Sequence, residues 1–567
     1  MTVAEYLIVR LKQAGVQHLF AVPGDYAGPF LEALDAAEGI ERIGNICELG
    51  SGYAADGYAR FRGAGAACVQ WGVGTFSLLN CTAGAFVERV PIAIISASPS
   101  TSDRQLERTQ KILFHHSTGN LRADQIIFQN VTVASEIVSD PATAPAQIDH
   151  AIRAMLTKRR PIYIEVLTNV WSLSCAAPVG TIVVEEATSD AASLAAALEW
   201  TWQRIQSATL PVIWAGIEIR RFGLQDTLQE LVDLSGLYFT TTSLGKTVLD
   251  EAQPQFIGTY AGPASSAITR AVMAASDCPI ALGTIITDDY LNIMASSFGK
   301  MIEVTEEEVR AEYQYYHGVT LRDFLAGLVA RYRAAGGGPR RYALPQVESE
   351  VTPRAAAGDR LTYNIFFREL TGFLKEEKLL DEVALILGES TSLYVFGNVF
   401  GLPRNSFVAE AAWGSLGHET GCALGVALGS GKRPFVVAGD GGFRMVCQEI
   451  SSLAAQECNA VIFVMSNNVY AIEQAFVDIN AFKPNGEFAA FDELPRWDYL
   501  ALAQAFGAKG YRTETVQELR TVLASLKGLK DRPALIEVAI PEKDLAPQLE
   551  RLAETPPMLS KYRRSTG

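Results

Sequence analysis

The chain has 567 residues, of which 49% are apolar and 20% charged; this excludes a peptide, a disulfide-stapled mini-protein and a disordered or fibrous chain. A formal net charge of −15 disfavours nucleic acid as a partner. Apolar runs such as AVIFVM at 460–465 and PIAIISA at 91–97 fall well short of the roughly 18 consecutive apolar residues of a bilayer span. The opening TVAEYLIVRLKQAG sets Val3, Leu7 and Leu11 at helical spacing with polar residues between, which predicts a first helix rather than a signal peptide.

Short Val/Ile-rich runs then recur: HLFAVPGD, ACVQWGVG, PIAIISAS, PIYIEVLT, PVIWAG, PIALGT, VALILGES, PFVVAGDGG, AVIFVMSNN and ALIEVAI. Each is followed by Gly, Asp or Ser and a segment of helical period, the signature of βα units on buried parallel sheets whose ligands bind at the carboxyl ends of strands. The expected fold class is α/β, with mostly parallel sheets flanked by helices. At roughly 150 residues per domain, three or four domains are expected. Gly, Pro and charge replace apolar periodicity at 175–192 and 334–360, which places domains at 1–180, 190–335 and 360–545. The tail ending in SKYRRSTG is aperiodic and reads as mobile. Eight scattered cysteines without a CxxC or zinc spacing suit reduced thiols in the cytoplasm.

The stretch 439–474 carries the most chemistry. Gly439-Asp440-Gly441-Gly442 closes the run PFVVA, and Ser466-Asn467-Asn468 closes AVIFVM. Alone, a GDG or an Asn-Asn is most simply a turn. Together, 27 residues apart and closing neighbouring parallel strands, Asp440 and Asn467 bring a carboxylate and an amide oxygen to one place. Mg²⁺ takes such oxygen donors and shares its shell with ligand phosphates, and the glycines let backbone N–H groups approach a diphosphate.

GDG followed by NN at this spacing resembles the thiamine diphosphate motif, and the chain resembles the pyruvate, indolepyruvate and phenylpyruvate decarboxylase family over nearly its full length. The resemblance implies three domains: one binding the aminopyrimidine, a middle domain, and one binding the diphosphate. Asp440, Asn467 and the carbonyl of Val469 would hold Mg²⁺, and relatives often carry Ser or Ala at Gly442. Glu48, in NICELGSGYAADGYAR, reads by itself as a residue favoured at a helix N-terminus, but its apolar neighbours would leave a buried carboxylate in need of a partner or a proton. In the family, this glutamate hydrogen-bonds the aminopyrimidine and activates the coenzyme.

Four further catalytic residues follow from the resemblance. His115 and His116, which alone read as structural neighbours pointing opposite ways on an extended segment, match the active-site histidines. Asp25, alone a helix N-cap, matches the acid beside the reacting carbon. Glu473, alone a solvent-facing helical residue, matches the glutamate of decarboxylation and protonation; burial near Asp25 is expected to raise its pKa. Gly414 and Leu416 match the coenzyme's amino-group acceptor and the wedge that bends it, and Thr391 matches a polar position beside the diphosphate. Leu393 stands where relatives carry Trp or Phe and, with Ile472, is assigned to a substrate pocket for a 2-oxo acid larger than pyruvate.

The resemblance thus implies a thiamine diphosphate and Mg²⁺-dependent lyase that releases an aldehyde, with each site shared between two chains of a dimer or tetramer. A carboligase making 2-hydroxy ketones is the first alternative. A non-catalytic binder on the same fold is the second. A dinucleotide protein is disfavoured, since GAGAACV at 63–69 precedes a strand instead of following one.

Overall fold

The computed structural model describes residues 1–336, 338–348, 354–397 and 399–554. The tail from 555 onward, with its expected mobility, and part of the 334–360 linker lie outside the described residues. Three sheets organise the chain, each with helices on its faces. All ten Val/Ile-rich runs are strands.

The first sheet comprises β1 (His18–Ala21), β2 (Glu41–Gly44), β3 (Gly65–Gln70), β4 (Ile92–Ser98), β5 (Ser135–Val138) and β6 (Ile162–Leu167). The order is β2-β1-β3-β4-β6-β5, parallel throughout. β3, β4 and β6 are buried at every position, because helices cover both faces and leave no polar side of the sheet.

The second sheet contains β7 (Pro211–Ala215), β8 (Tyr238–Thr241), β9 (Phe256–Thr259), β10 (Cys278–Leu282), β11 (Ile302–Val304), β12 (Glu308–Ala311) and β13 (Gln314–His317), in the order β13-β12-β11-β10-β7-β8-β9. It departs from the uniform parallel pattern: β12 and β13 close it as an antiparallel meander, joined by turns too short for a crossover helix.

The third sheet contains β14 (Val383–Leu387), β15 (Phe407–Ala409), β16 (Arg433–Gly439), β17 (Val461–Ser466), β18 (Lys509–Thr513) and β19 (Ala534–Ala539). It is parallel throughout, in the order β15-β14-β16-β17-β19-β18. The first and third sheets share one hydrophobic cluster. At its centre, the small-residue helix Glu48–Arg62 lies against Ala423–Ser430. Gly425 makes that approach possible, since a Cβ there would lie 1.7 Å from the Ala54 carbonyl oxygen.

Candidate active site

Asp440 and Asn467 leave the carboxyl ends of adjacent strands, with Gly439 of β16 in register with Met465 of β17. Asp440 is buried, and its Oδ2 accepts the Asn468 amide at 2.6 Å. Burial pushes this carboxyl up to about 6, against the pull of backbone amides and Arg444. Asn467 is also buried. Its Nδ2 has no partner, and its Oδ1 accepts the Val469 amide only at 3.4 Å, so turning the amide over costs little and would present the oxygen. Val469 forms a bridge with Glu493, whose hydrogen bonds are made by the Asn468 carbonyl (2.9 Å) and the Tyr470 amide (2.9 Å); the Val469 carbonyl is left outside it. A buried acid that loses its proton less readily than in water, beside an amide nitrogen without a partner, fits a hard divalent cation with a diphosphate.

The glycines have separate reasons. A Cβ on Gly441 would lie 2.2 Å from the Tyr470 ring. At Gly442, where relatives often carry a side chain, a Cβ would come within 3.0 Å of Glu419 Oε1. Buried Glu419 therefore occupies the space that a serine would use, and burial raises its own pKa to about 7.

These residues open on a cavity of about 240 Å³, below the roughly 300–1,000 Å³ of complete small-molecule pockets. Thr391, Gly414, Leu416, Gly439, Asp440, Gly441, Gly442, Asn467, Val469, Ile472 and Glu473 all line it. Leu393 does not: it is packed in the buried cluster of the third sheet, among side chains of its strands and helices. Glu473 lies in the first turn of the helix Ala471–Asp478 and is exposed in the single chain. Within one chain it is not buried near Asp25; the carboxyl that feels its charge there is Asp492, whose pKa is raised by burial and then by Glu473.

The loop carrying Gly414 and Leu416 is tied to the first domain. Glu88 accepts the Ala412 amide at 2.8 Å, Trp413 Nε1 donates to Asn80 Oδ1 at 2.9 Å, and Ser415 Oγ shares a 2.6 Å hydrogen bond with Tyr53. Glu88 is in turn held by Arg60 at 2.7 Å, which also pairs with Asp56 at 2.6 Å, beside His418. Buried ionic groups so thoroughly paired fix geometry more than they add stability.

At the carboxyl end of the first sheet, Glu48 is the first residue of its helix and Cys47 is the cap, Sγ accepting the Gly50 amide at 3.3 Å. Glu48 is half-buried and Ile46 exposed, so the enclosed carboxylate expected from its neighbours is not formed within one chain. Asp25 opens a short helical turn, and Gly24 is the cap, without a side-chain bond. The N-cap expectation fails because Asp25 Oδ1 instead accepts Gln70 Nε2 at 2.6 Å, from the end of β3. His115 and His116 are exposed and occupy a tight turn, with His116 at φ +70°. They do not alternate on an extended segment; their rings lie 6.1 Å apart, and His116 is 6.4 Å from Tyr26. Among the described residues, no hydrogen bond or ring contact joins Asp25, Glu48, His115 or His116 to the cavity-lining residues.

Among the cavity residues that no motif announced is a buried acid. Glu389 follows β14 on the wall beside Gly414, and burial raises its pKa to about 8. The only signal was an acidic residue in the GES that closes VALIL.

Three family models match in chain order. They describe a thiamine pyrophosphate enzyme: an N-terminal TPP binding domain at 1–123, a central domain at 198–322 and a C-terminal TPP binding domain at 392–538. A probable pyruvate decarboxylase of Schizosaccharomyces pombe is 31% identical, over 97% of this chain and 94% of its own length. Pyruvate decarboxylase isozyme 1 of Saccharomyces cerevisiae is 28% identical (91% and 90%), and the pyruvate decarboxylase of Kluyveromyces lactis 29% (98% and 98%). The chain belongs to the family of thiamine diphosphate-dependent 2-oxo acid decarboxylases. It is accordingly a carboxy-lyase, which sets aside the non-catalytic binder. No helix among the described residues is long and apolar enough to cross a membrane.

Proposed function

We propose that this enzyme converts a 2-oxo acid with a side chain larger than methyl into an aldehyde and CO₂. The observation that carries the reading is the pair Asp440 and Asn467 buried at adjacent strand ends, the carboxyl desolvated and the amide nitrogen lacking a partner among the described residues. Asp440, Asn467 and the Val469 carbonyl would hold Mg²⁺. Gly439, Gly441, Gly442 and Thr391 would cradle the diphosphate, and Gly414 and Leu416 would fix the bend of the coenzyme. When bound, thiamine diphosphate supplies the nucleophile and the electron sink. Glu48 would hold the proton that switches the aminopyrimidine on. Asp25, His115, His116 and Glu473 orient the substrate and move protons, which the reaction needs because it consumes one proton per turnover.

The domains are assigned as 1–180, 190–335 and 360–545. Two chains complete each site in this reading, Glu48, Asp25 and the histidines of one facing the cavity of the other, in a homodimer or a homotetramer. The small cavity and the absence of contact between the two groups within the chain support it. So do exposed Ile46, Val73 and Leu113 near the first group and Trp413 and Met445 near the second, since exposed apolar patches mark interfaces. Eight free cysteines suit the cytoplasm.

With Leu393 in the core, the substrate side chain is assigned to the wall of Ile472 and Leu416. The test is product analysis on pyruvate and on branched, aryl and long-chain 2-oxo acids, with thiamine diphosphate and Mg²⁺. Aldehyde from the larger acids in preference to pyruvate is expected. Hydroxy ketone as the main product would make the protein a carboligase, and coenzyme uptake without CO₂ from any acid would overturn the reading.

A further inference from the structure

The cavity wall holds a carboxyl that the proposed mechanism does not use. Glu389 stands beside Gly414, whose Cβ position lies 3.6 Å from Glu389 Cγ. Behind it, Tyr394 is buried, with its phenol oxygen 3.3 Å from Glu389 Oε1 and 3.4 Å from Oδ1 of Asp289, which comes from the middle domain. A phenol carries one proton. Between two ionised carboxylates it could satisfy only one, and the other would face a lone pair in a place poor in water. One of the two carboxyls must therefore keep a proton.

We propose that Glu389, Tyr394 and Asp289 form a proton-holding chain from the middle domain to the reaction cavity, with Glu389 the further catalytic acid that hands a proton to the substrate carbon once CO₂ has left. The inference rests on the decarboxylase reading of this cavity. The balance is simple: RCOCOO⁻ and H⁺ give RCHO and CO₂. The new C–H bond takes its proton from the Glu389 carboxyl. Glu389 recovers one from the Tyr394 hydroxyl, which takes its replacement from Asp289, next to exposed Asp288 and the solvent.

The charged surroundings favour this division. Burial first, and then the acids Asp289, Glu88 and Glu419, make Glu389 hold its proton to about 8; Tyr394 pulls the other way. Glu88 is itself paired with Arg60. Asp289, raised by burial and by Asp288, gives its proton up at about 6. At neutral pH, the proton thus sits at the cavity end of the chain, where a general acid must hold it.

The test compares wild type, Glu389→Gln and Tyr394→Phe as full-length protein with thiamine diphosphate and Mg²⁺, on the best substrate of the panel. Glu389→Gln keeps a hydrogen bond to Tyr394 but has no proton to give. Its kcat is expected to fall about 10²-fold, the lower end of general-acid contributions, with coenzyme affinity by calorimetry unchanged and the hydroxy ketone to aldehyde ratio raised. In the coenzyme-free protein, infrared difference spectra should show a carboxylic-acid carbonyl band at pH 7 that disappears near pH 8 and is missing from Glu389→Gln. Tyr394→Phe should keep that band to higher pH, because the carboxylate loses its phenol donor.

A kcat within twofold of wild type in Glu389→Gln, with wild type turning over, overturns the chain and leaves the decarboxylase intact. Failure of wild type to take up coenzyme overturns the decarboxylase reading, while the infrared band still reports on Glu389. Should Glu389→Gln not fold, a band absent at pH 7 or unmoved by Tyr394→Phe refutes the proposal.

Discussion

The first and third sheets have the same winding: counted within each, the strands run 2-1-3-4-6-5, all parallel. Their carboxyl ends differ. In the third sheet, Asp440 and Asn467 are 2% and 1% exposed and close a cavity. In the first, Asp25, His115 and His116 are exposed and Glu48 is half-buried. One end is finished within the chain, and the other presents its functional groups outward. Identical topology fixes where ligands approach; it does not fix whether the chain completes the site alone.

The sharpest way to break this comparison is to disable each end separately. Asp440→Asn should abolish CO₂ release by weakening coenzyme and Mg²⁺ uptake roughly 100-fold or more, since even partners behind a metal ligand are worth 10–100-fold. Glu48→Gln should leave calorimetric uptake nearly intact and lower kcat by about 10²–10⁴-fold. Equal losses of uptake in both would mean that the two ends do not divide binding from activation.

The next test sharpens the division between chains. Unfolding and refolding a one-to-one mixture of these two inactive variants should restore about one quarter of the wild-type rate, because half the dimers carry one intact site. A site made within one chain would show no recovery.

Behind the closed end, Glu419 has its pKa raised from an ordinary 4.5 to about 7. A carboxyl that holds its proton longer when folded favours the fold below pH 4.5, and this contribution is lost as pH rises through 7. Glu419→Gln should therefore be more stable than wild type at pH 8, by about 3 kcal/mol at 1.36 kcal/mol per unit, with the gap vanishing towards pH 4.5. Urea melts across that range check it; a gap independent of pH would show that Glu419 is ionised in the fold.

The smallest contrast uses two glycines. Gly441→Ala must push the Tyr470 ring aside and should cost about 1–3 kcal/mol, whereas Gly28, beside Asp25, has nothing within 4 Å of a Cβ, so Gly28→Ala should change stability by no more than about 0.5 kcal/mol. Thermal melts of the two variants measure the difference.

Legibility follows burial. The ten strands read from sequence are the interior of the first and third sheets together with β7 and β10 of the second. Edge strands such as β2 (ERIG), largely exposed, and β18 (KGYRT), exposed or half-buried but for its last residue, carry no apolar run. β8 is interior yet escaped notice, because its Thr240 and Thr241 are buried with their hydroxyls bonded across the sheet, to the Gly258 carbonyl at 2.5 Å and to Thr259 at 3.2 Å. The middle domain offered no motif, yet it supplies Asp289 to the wall behind the cavity.

The sequence by itself determined the α/β class, the interior strands and the Asp440–Asn467 pair, because parallel strands must be apolar on both faces and their ends are punctuated by short polar motifs. Tertiary structure decided what no spacing could: that Leu393 turns into the core, that Glu473 bears on Asp492 within the chain, and that Glu389 and Asp289 meet through Tyr394. Those relations join residues distant in the chain, and their energies depend on burial and on the neighbouring charges, which exist only once the domains have packed.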